Sequence, residues 1–225
     1  MFNNKSFLAV IIARGGSKRL KNKNILKFKN KTLIERSFLE AKKSKYIDKI
    51  ILSTESKKII QIAKKIGLNA PYIRPKRLSK DNIGADKVFL HAAQKFQKNF
   101  DFIILLQPTS PLRKSIDIDR CIKRLCKKKL SYITTIYKSK EKKKFVIDIV
   151  KPGYIKKFNN KMNRKLYYHL NGAIYIAKIN DFLKKKKLLT KKTGYFIMSE
   201  EQSIDVDLKQ DYLKAKKIIE KNVQK

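Results

Sequence analysis

Short apolar runs alternate with amphipathic stretches along the first half of the chain. Phe7–Ala13 is continuously apolar, which is typical of a strand buried on both faces of a parallel sheet. The same kind of pattern predicts further strands at 47–54, 71–73, 100–107 and 131–137, and helices at 31–44, 55–66, 84–97 and 115–127. Alternating strands and helices predict an α/β fold in which helices flank a mostly parallel sheet.

The second half of the chain departs from this alternation. Residues 138–168 are rich in lysine and contain two short strand-like pieces, FVIDIV and GYIKKF, around the turn signal Pro152-Gly153. We interpret this segment as a small β-rich insertion in a single domain that spans residues 1–225. Beyond it, strands are predicted at 169–178 and 194–198, and helices at 180–187 and 209–221.

The charge of the chain is extreme, with 57 Lys and Arg against 18 Asp and Glu and a net charge of +39. A clustered positive charge would indicate a nucleic-acid partner. Here the lysines are spread over the whole chain together with many Ile and Asn residues, which is the pattern of AT-rich coding. The tyrosines and phenylalanines follow core patterns rather than lining a basic face. We therefore predict an anionic small substrate and no specific nucleic-acid partner.

The cysteines and the N-terminus indicate the compartment. Cys121 and Cys126 match neither a CxxC nor a zinc spacing, and we interpret them as packing residues of a helix in a reducing environment. The first apolar stretch, Phe7–Ala13, is too short to span a membrane. These observations predict a cytoplasmic protein without a membrane segment.

The most informative local motif is AVIIARGGSKRLKNKN, residues 9–24, where a buried strand ends in two glycines among cations. Glycines at such a point let the backbone approach a ligand and direct its N–H groups inward. With Arg14, Lys18 and Lys23 nearby, the ligand that fits is a phosphate chain. The loop matches neither GxxxxGK[ST] nor GxGxxG, so it is not a typical P-loop or dinucleotide loop.

Two carboxylates near the C-terminus form the second candidate feature. Asp205 and Asp207 are two residues apart, so both project to the same side if the segment is extended. Carboxylate oxygens suit Mg²⁺, which could bridge a triphosphate. A solvated strand end or a helix N-terminal cap would use the same residues, and the spacing alone does not separate these roles.

Six motifs occur together in one order: ARGGSKRLKNKNI, IILSTES, RPKRLSKD, LLQPTSPLR, NGAIYI and SIDVD. In this order and spacing the sequence resembles the CMP-sialic acid synthetases, or N-acylneuraminate cytidylyltransferases, over essentially its full length. The resemblance implies a Rossmann-like nucleotidyltransferase fold, CTP as co-substrate, Mg²⁺ as cofactor and a homodimer whose dimerisation segment is 138–168. It also implies attack of a sugar's anomeric hydroxyl on the α-phosphate of CTP, with pyrophosphate leaving.

The resemblance assigns roles to particular residues. The nucleotide-binding positions it implies are Arg14, Gly15, Gly16, Ser17, Lys23, Asn24 and Arg74. The sugar-binding positions are Gln107, Asn171 and Gly172. The catalytic set is Arg14, Lys23 and Asp207, and the metal ligands are Asp205 and Asp207.

Several alternatives stay open at this stage. QPTSP distinguishes the chain from ketodeoxyoctonate enzymes, which carry QGDEP, and from pseudaminic acid enzymes, which carry a YPTAP-like segment. Legionaminic acid enzymes share the pattern, and some relatives use GTP, so neither the sugar nor the base is fixed. His169 stands close to where relatives carry Arg, and either a sugar contact or a packing role suits it. Retention of Arg14, Lys23, Asp205 and Asp207 argues against a non-catalytic relative.

Overall fold

A computed structural model of the chain describes residues 1–142, 145–150, 153–157 and 165–221. The helices are α1 Leu33–Lys42, α2 Lys57–Lys65, α3 Ala85–Phe96, α4 Ser115–Lys127, α5 Ile179–Lys185 and α6 Lys209–Lys221. The strands are β1 Phe7–Ile12, β2 Lys27–Phe28, β3 Lys31–Thr32, β4 Lys49–Ser53, β5 Phe102–Leu106, β6 Tyr132–Ser139, β7 Val146–Val150, β8 Tyr154–Lys157, β9 Tyr167–Lys178 and β10 Thr193–Ile197.

The main sheet is mixed, so the prediction of a mostly parallel sheet is wrong. Its strand order is β4-β1-β5-β9-β6-β10-β8-β7. β1 is parallel to β4 and to β5, and β10 is parallel to β6, whereas β9 is antiparallel to both β5 and β6. The reason is that β9 follows β6 through the short strands of the insertion, without a helical crossover. A strand buried on both faces has the same apolar pattern in either direction.

Helices cover both faces of this sheet. Phe7, Ala9 and Ile11 of β1 face a core that contains side chains of α1, α2 and α4. Leu8 and Val10 face the opposite core, to which α3 and α5 contribute. This two-sided burial explains the continuous apolar run of β1, because neither face of the strand meets water. Within the described ranges, none of the helices combines the length and apolar character that crossing a bilayer requires.

The insertion forms β7 and β8, so its β-rich character is confirmed for the residues that the structure describes. β7 pairs with β8 and β9, and β8 pairs with β10, which itself lies beside β6. Ile147 and Ile155 are buried against Ile136 of β6 in a small separate core. The insertion thus packs back on its own sheet. Pro152 of the expected turn lies outside the described residues.

Candidate active site

A cavity of about 220 Å³ lies beyond the carboxyl ends of β1 and β5. Open α/β sheets bind ligands at this edge, because the loops that follow parallel strands meet there. Six residues singled out from the sequence line the cavity: Arg14, Ser17, Lys23, Asn24, Arg74 and Gln107. The fold therefore brings the predicted nucleotide-binding cations and one predicted sugar-side residue together around one space.

Gly15 allows the first loop to pass close to the start of α2. Its N–H donates to Glu55 Oε1 across 2.7 Å, and a Cβ at this position would stand 2.9 Å from Ser56 Cβ. Asn24 Nδ2 donates to the carbonyl oxygen of Arg14 across 3.0 Å, which closes the loop from its other end. Gly16 is exposed with open space around it, so nothing in the structure requires a glycine there.

Arg74 is a buried cation that helps to fix the first loop. Its side chain is almost fully buried and lies 2.6 Å from Glu55 Oε2, with Nε 3.0 Å from Ser79 Oγ. One guanidinium nitrogen also donates to the carbonyl oxygen of Ala13 across 3.3 Å. Burial pushes the pKa of Glu55 upward, but hydrogen bonds from the Gly15 N–H, Ser79 and Arg74 outweigh it and hold that pKa below its ordinary value. Glu55, in the quoted IILSTES motif, was not predicted from the sequence as a site residue.

Arg14 and Lys18 share a carboxylate that the sequence did not single out. Asp81 Oδ1 lies 2.7 Å from Arg14 NH1, and Oδ2 lies 2.9 Å from Lys18 Nζ. The hydrogen bond from Lys18 and the charges of both cations lower the pKa of Asp81. Asp81 also lines the cavity. It therefore pairs with the two cations at the place where a phosphate chain would contact them.

The carboxylate pair lies at the same edge of the sheet. Lys23 Nζ is 2.6 Å from Asp207 Oδ1, and Arg19 is 2.8 Å from Oδ2. Burial raises the pKa of Asp207, but the Lys23 hydrogen bond and the charges of Lys23 and Arg19 outweigh it, so this pKa is lowered. Between the two carboxylates, Val206 is fully buried and its N–H donates to the carbonyl oxygen of Thr109 across 2.8 Å.

Asp205 has a different electrostatic environment from Asp207. Asp205 is exposed as a whole residue, although protein groups crowd its carboxylate from several sides. This desolvation, with the nearby charge of Asp207, raises the pKa of Asp205 to about 6, although a hydrogen bond with Thr109 acts in the opposite direction. The two carboxylates are therefore close enough to interact, and they differ in how readily each is ionised.

The sugar-side prediction divides into residues at the cavity and residues behind it. Gly172 has φ +72°, and a Cβ there would stand 3.3 Å from Gln107 Nε2, so the Gln107 side chain approaches the β9 backbone. Asn171 is buried, and its Oδ1 accepts from Thr135 Oγ1 across 2.6 Å while Nδ2 donates to Ser203 across 2.9 Å. The structure therefore places the amide of Asn171 in internal contacts, and Asn171 is not among the residues that line the cavity.

Arg113, the last residue of LLQPTSPLR, was not predicted from the sequence as a site residue. It is 2% exposed, and its NH1 donates to the carbonyl oxygens of Gln107 and Ala173 across 3.1 and 2.8 Å. NH2 donates to Ser37 Oγ across 2.7 Å. Burial lowers the pKa of Arg113 to about 10, so the side chain remains a cation at neutral pH. Arg113 thus ties the end of β5 to β9 directly behind Gln107.

His169 is fully buried and packs against the rings of Tyr137 and Tyr167. Its Nε2 lies 3.0 Å from the carbonyl oxygen of Glu141. Of the two roles that the sequence left open, these contacts fit the packing role.

The fold and the site define an α/β protein with a cavity lined by cations at the carboxyl edge of its sheet. A family model described as Cytidylyltransferase matches residues 8–225, and the chain belongs to this family. It is 33% identical to post-translational flagellin modification protein B of Campylobacter coli, over 96% of this chain and 97% of that protein. It is 31% identical to CMP-N,N'-diacetyllegionaminic acid synthase of Legionella pneumophila, over 96% and 97% of the two chains.

The fold is similar to that of solved cytidylyltransferases. The structure of a CMP:2-keto-3-deoxy-manno-octonic acid synthetase complexed with CTP superposes with a TM-score of 0.79 at 17% identity. The match covers 96% of this chain and 99% of that one. The nucleotidyltransferase fold implied by the motifs is therefore confirmed.

Proposed function

We propose that the protein transfers the cytidylyl group of CTP to the anomeric hydroxyl of sialic acid or a related nonulosonic acid. The products are a CMP-sugar and pyrophosphate. The observation that carries this proposal is the cavity at the edge of the sheet, where the cations of the first loop lie beside the Asp205–Asp207 pair. The relative from Legionella, a CMP-legionaminic acid synthase by name, supports an acceptor of this sugar class.

In the proposed reaction the anomeric oxygen bonds to the α-phosphorus, and the bond from that phosphorus to the bridging oxygen of pyrophosphate breaks. The hydroxyl proton passes to solvent. Negative charge develops on the leaving pyrophosphate, and cations fixed beside it stabilise that charge. Arg14 and Lys23 supply these cations, and Lys23 is the more enclosed of the two, with 18% of its side chain exposed. The Glu55–Arg74 pair holds the loop in place before CTP arrives, because Glu55 accepts from the Gly15 N–H and Arg74 donates to the carbonyl oxygen of Ala13.

Asp205 and Asp207 fit a Mg²⁺ ion that is completed by substrate oxygens. Within the described residues, no group of three or more acidic, histidine or cysteine side chains is placed to hold a metal. Mg²⁺ is commonly bound by one or two carboxylates together with phosphate oxygens and water. When bound, the metal would offset charge on the triphosphate. Lys23 and Arg19 neutralise Asp207 in its absence, and the ionised form of Asp207 is ready to bind a cation.

We place the sugar at the Gln107 and Gly172 side of the cavity. The Gln107 amide is held against β9, and Arg113 fixes the backbone beneath it. Asn171 would act by keeping β9 and β6 in register with the loop that carries Ser203.

The protein is proposed to be a cytoplasmic homodimer in which segment 138–168 of one subunit contacts the other. The apolar residues of this segment include Phe145, Val146, Ile147 and Ile149. Ile147 is buried in its own chain, whereas Phe145 is 71% exposed and Leu166 is 48% exposed. We therefore assign the contact to Phe145 and Leu166.

A pyrophosphate-release assay that crosses CTP and GTP with sialic, legionaminic and pseudaminic acids tests the function. We expect release that requires CTP, one nonulosonic acid and Mg²⁺ together. Lys23→Ala should abolish it, whereas Lys64→Ala, on the exposed end of α2, should not. Absence of release from the folded protein with every nucleotide and sugar pair would refute the proposal.

A further inference from the structure

A second and larger cavity, of about 450 Å³, lies on the other side of Arg113 from the candidate active site. Its walls come from the β2–β3 hairpin, from α1, from the loop before α4 and from Ile219 of α6. It shares no lining residue with the 220 Å³ cavity. Its volume is within the range of small-molecule sites.

The described residues that line this cavity carry a concentrated positive charge. The cations are Lys29, Lys31, Arg36, Lys43, Arg113 and Lys114. Glu40 is the acidic residue among them, and both of its oxygens are engaged, one with Lys43 at 2.8 Å and the other with the N–H of Ser115 at 2.8 Å. Lys29, Lys31 and Lys114 form no salt bridge with a residue that the structure describes. Like charges around one cavity repel each other, and an anion bound among them would offset that repulsion.

Two arginines of the cavity have unused hydrogen-bonding capacity. Nε of Arg36 and Nε of Arg113 are buried and have no hydrogen-bond partner. Such donors are costly to bury without a partner. Arg36 uses one terminal nitrogen on the carbonyl oxygen of Phe28, and burial lowers its pKa. Arg113, which is 2% exposed, is a buried charged group in the wall of the cavity.

We propose that this cavity is a second anion-binding site that takes a nucleoside diphosphate. The lysines and the guanidinium group of Arg36 suit a diphosphate, which offers many acceptor oxygens, and the buried charge of Arg113 adds to the positive potential of the wall. Leu39 and Leu112, both partly buried, provide an apolar surface for the body of the nucleoside. The site is separate from the proposed CTP site and does not depend on it.

Lysine acylation read by mass spectrometry tests this site residue by residue. UDP, at about ten times its dissociation constant and at matched ionic strength, should slow acylation of Lys29, Lys31, Lys43 and Lys114 about tenfold. Lys64 and Lys65, exposed on α2, are the internal reference and should not change. Equal slowing at Lys64 and Lys65, or no slowing at the cavity lysines, would overturn the proposal. Pyrophosphate that protects as well as UDP would overturn the assignment of a nucleoside.

Two double variants that lose the same charge distinguish binding in the cavity from nonspecific attraction by the positive charge of the whole protein. Lys31→Gln/Lys43→Gln should weaken UDP binding at least tenfold in calorimetry and leave basal turnover unchanged, whereas Lys64→Gln/Lys65→Gln should leave binding unchanged. Equal binding by both variants would contradict the site. In the acylation experiment, CTP should protect Lys18 and Lys23 of the candidate active site. A failure of the proposed function is therefore seen independently of a failure of the second site.

Discussion

Lys23 donates a hydrogen bond to Asp207 across 2.6 Å, although 184 residues separate them in the chain. The contact joins the first loop to the segment before α6. It brings the cation that we propose for the triphosphate into direct contact with the carboxylate that we propose for the metal. We infer that substrate binding exchanges this internal pair for two external ones, Lys23 with phosphate and Asp207 with Mg²⁺.

Asp207→Ala should lower turnover by a factor on the order of 10² or more, because a carboxylate that holds Mg²⁺ stabilises the transition state by several kcal/mol. The fold should survive, since a third of the Asp207 side chain is exposed. Steady-state kinetics over a Mg²⁺ series and a thermal melt measure both effects. Near-normal turnover at saturating Mg²⁺ would remove Asp207 from the metal site.

Arg14→Ala should raise KM for CTP much more than KM for the sugar. Arg14 lines the cavity and precedes the two glycines, whereas Gln107 and Gly172 lie on the side where we place the sugar. Initial rates with each substrate varied in turn provide the comparison. If the two KM values rose by the same factor, the loop would not face the phosphates.

Asp81→Asn should lower KM for CTP, the opposite change. Asp81 neutralises Arg14 and Lys18 in the free enzyme, and the triphosphate has to replace it. The gain should shrink as salt is added, because all three side chains are partly exposed and their interactions are screened. Asp48→Asn, remote from the cavity lining, is the control for loss of a carboxylate. A higher KM in Asp81→Asn would show instead that Asp81 positions Arg14.

Much of the site was predictable because it is local. The strand, the two glycines and the cations of residues 9–24 occupy one stretch, and the fold places Arg14, Lys23 and Asn24 around one cavity as expected. Glu55, Asp81 and Arg113 were missed because their partners are distant in sequence. Arg113, for example, reaches Ser37 and Ala173, and nothing in LLQPTSPLR shows that its guanidinium is buried.

The fold was predicted to a similar extent. α4 spans the predicted residues 115–127, because its amphipathic pattern is regular and long. The residues 71–73 form no strand, and Ile73 makes only an isolated bridge to Thr54. The direction of β9 depends on pairing between distant segments, and hydrophobic pattern carries no information about direction.

Asp205 should give the enzyme a pH dependence near 6, the value to which its pKa is raised. Mg²⁺ needs the ionised carboxylate, so apparent Mg²⁺ affinity should fall as pH decreases through about 6. Without metal, the stability of the fold should change with pH in the opposite direction to the Mg²⁺ affinity. The folded state binds this proton more tightly than the unfolded state, so ionisation destabilises the fold as pH rises from about 4 to 6.

Asp205→Asn tests both effects, and it keeps an oxygen for Thr109. In the presence of a chelator, the melting temperature of the variant should exceed that of the parent at pH 8 and equal it at pH 4. The pH profile of its Mg²⁺ affinity should no longer show a step near pH 6. An unchanged melting difference across this range would show that Asp205 does not titrate there.

The proposed dimer should depend on Phe145, which is 71% exposed and has φ +59°, an uncommon conformation for an aromatic residue. Phe145→Ser should shift the protein toward monomer and reduce turnover, because the partner segment would no longer complete the sugar side. Ile116→Ser on α4 is the matched control, since Ile116 is 48% exposed on another element. Two lysine-rich segments repel each other, so salt should strengthen the parent dimer or leave it unchanged. Sedimentation across a salt series measures this, and a monomer with normal turnover at every salt concentration would rule out the dimer.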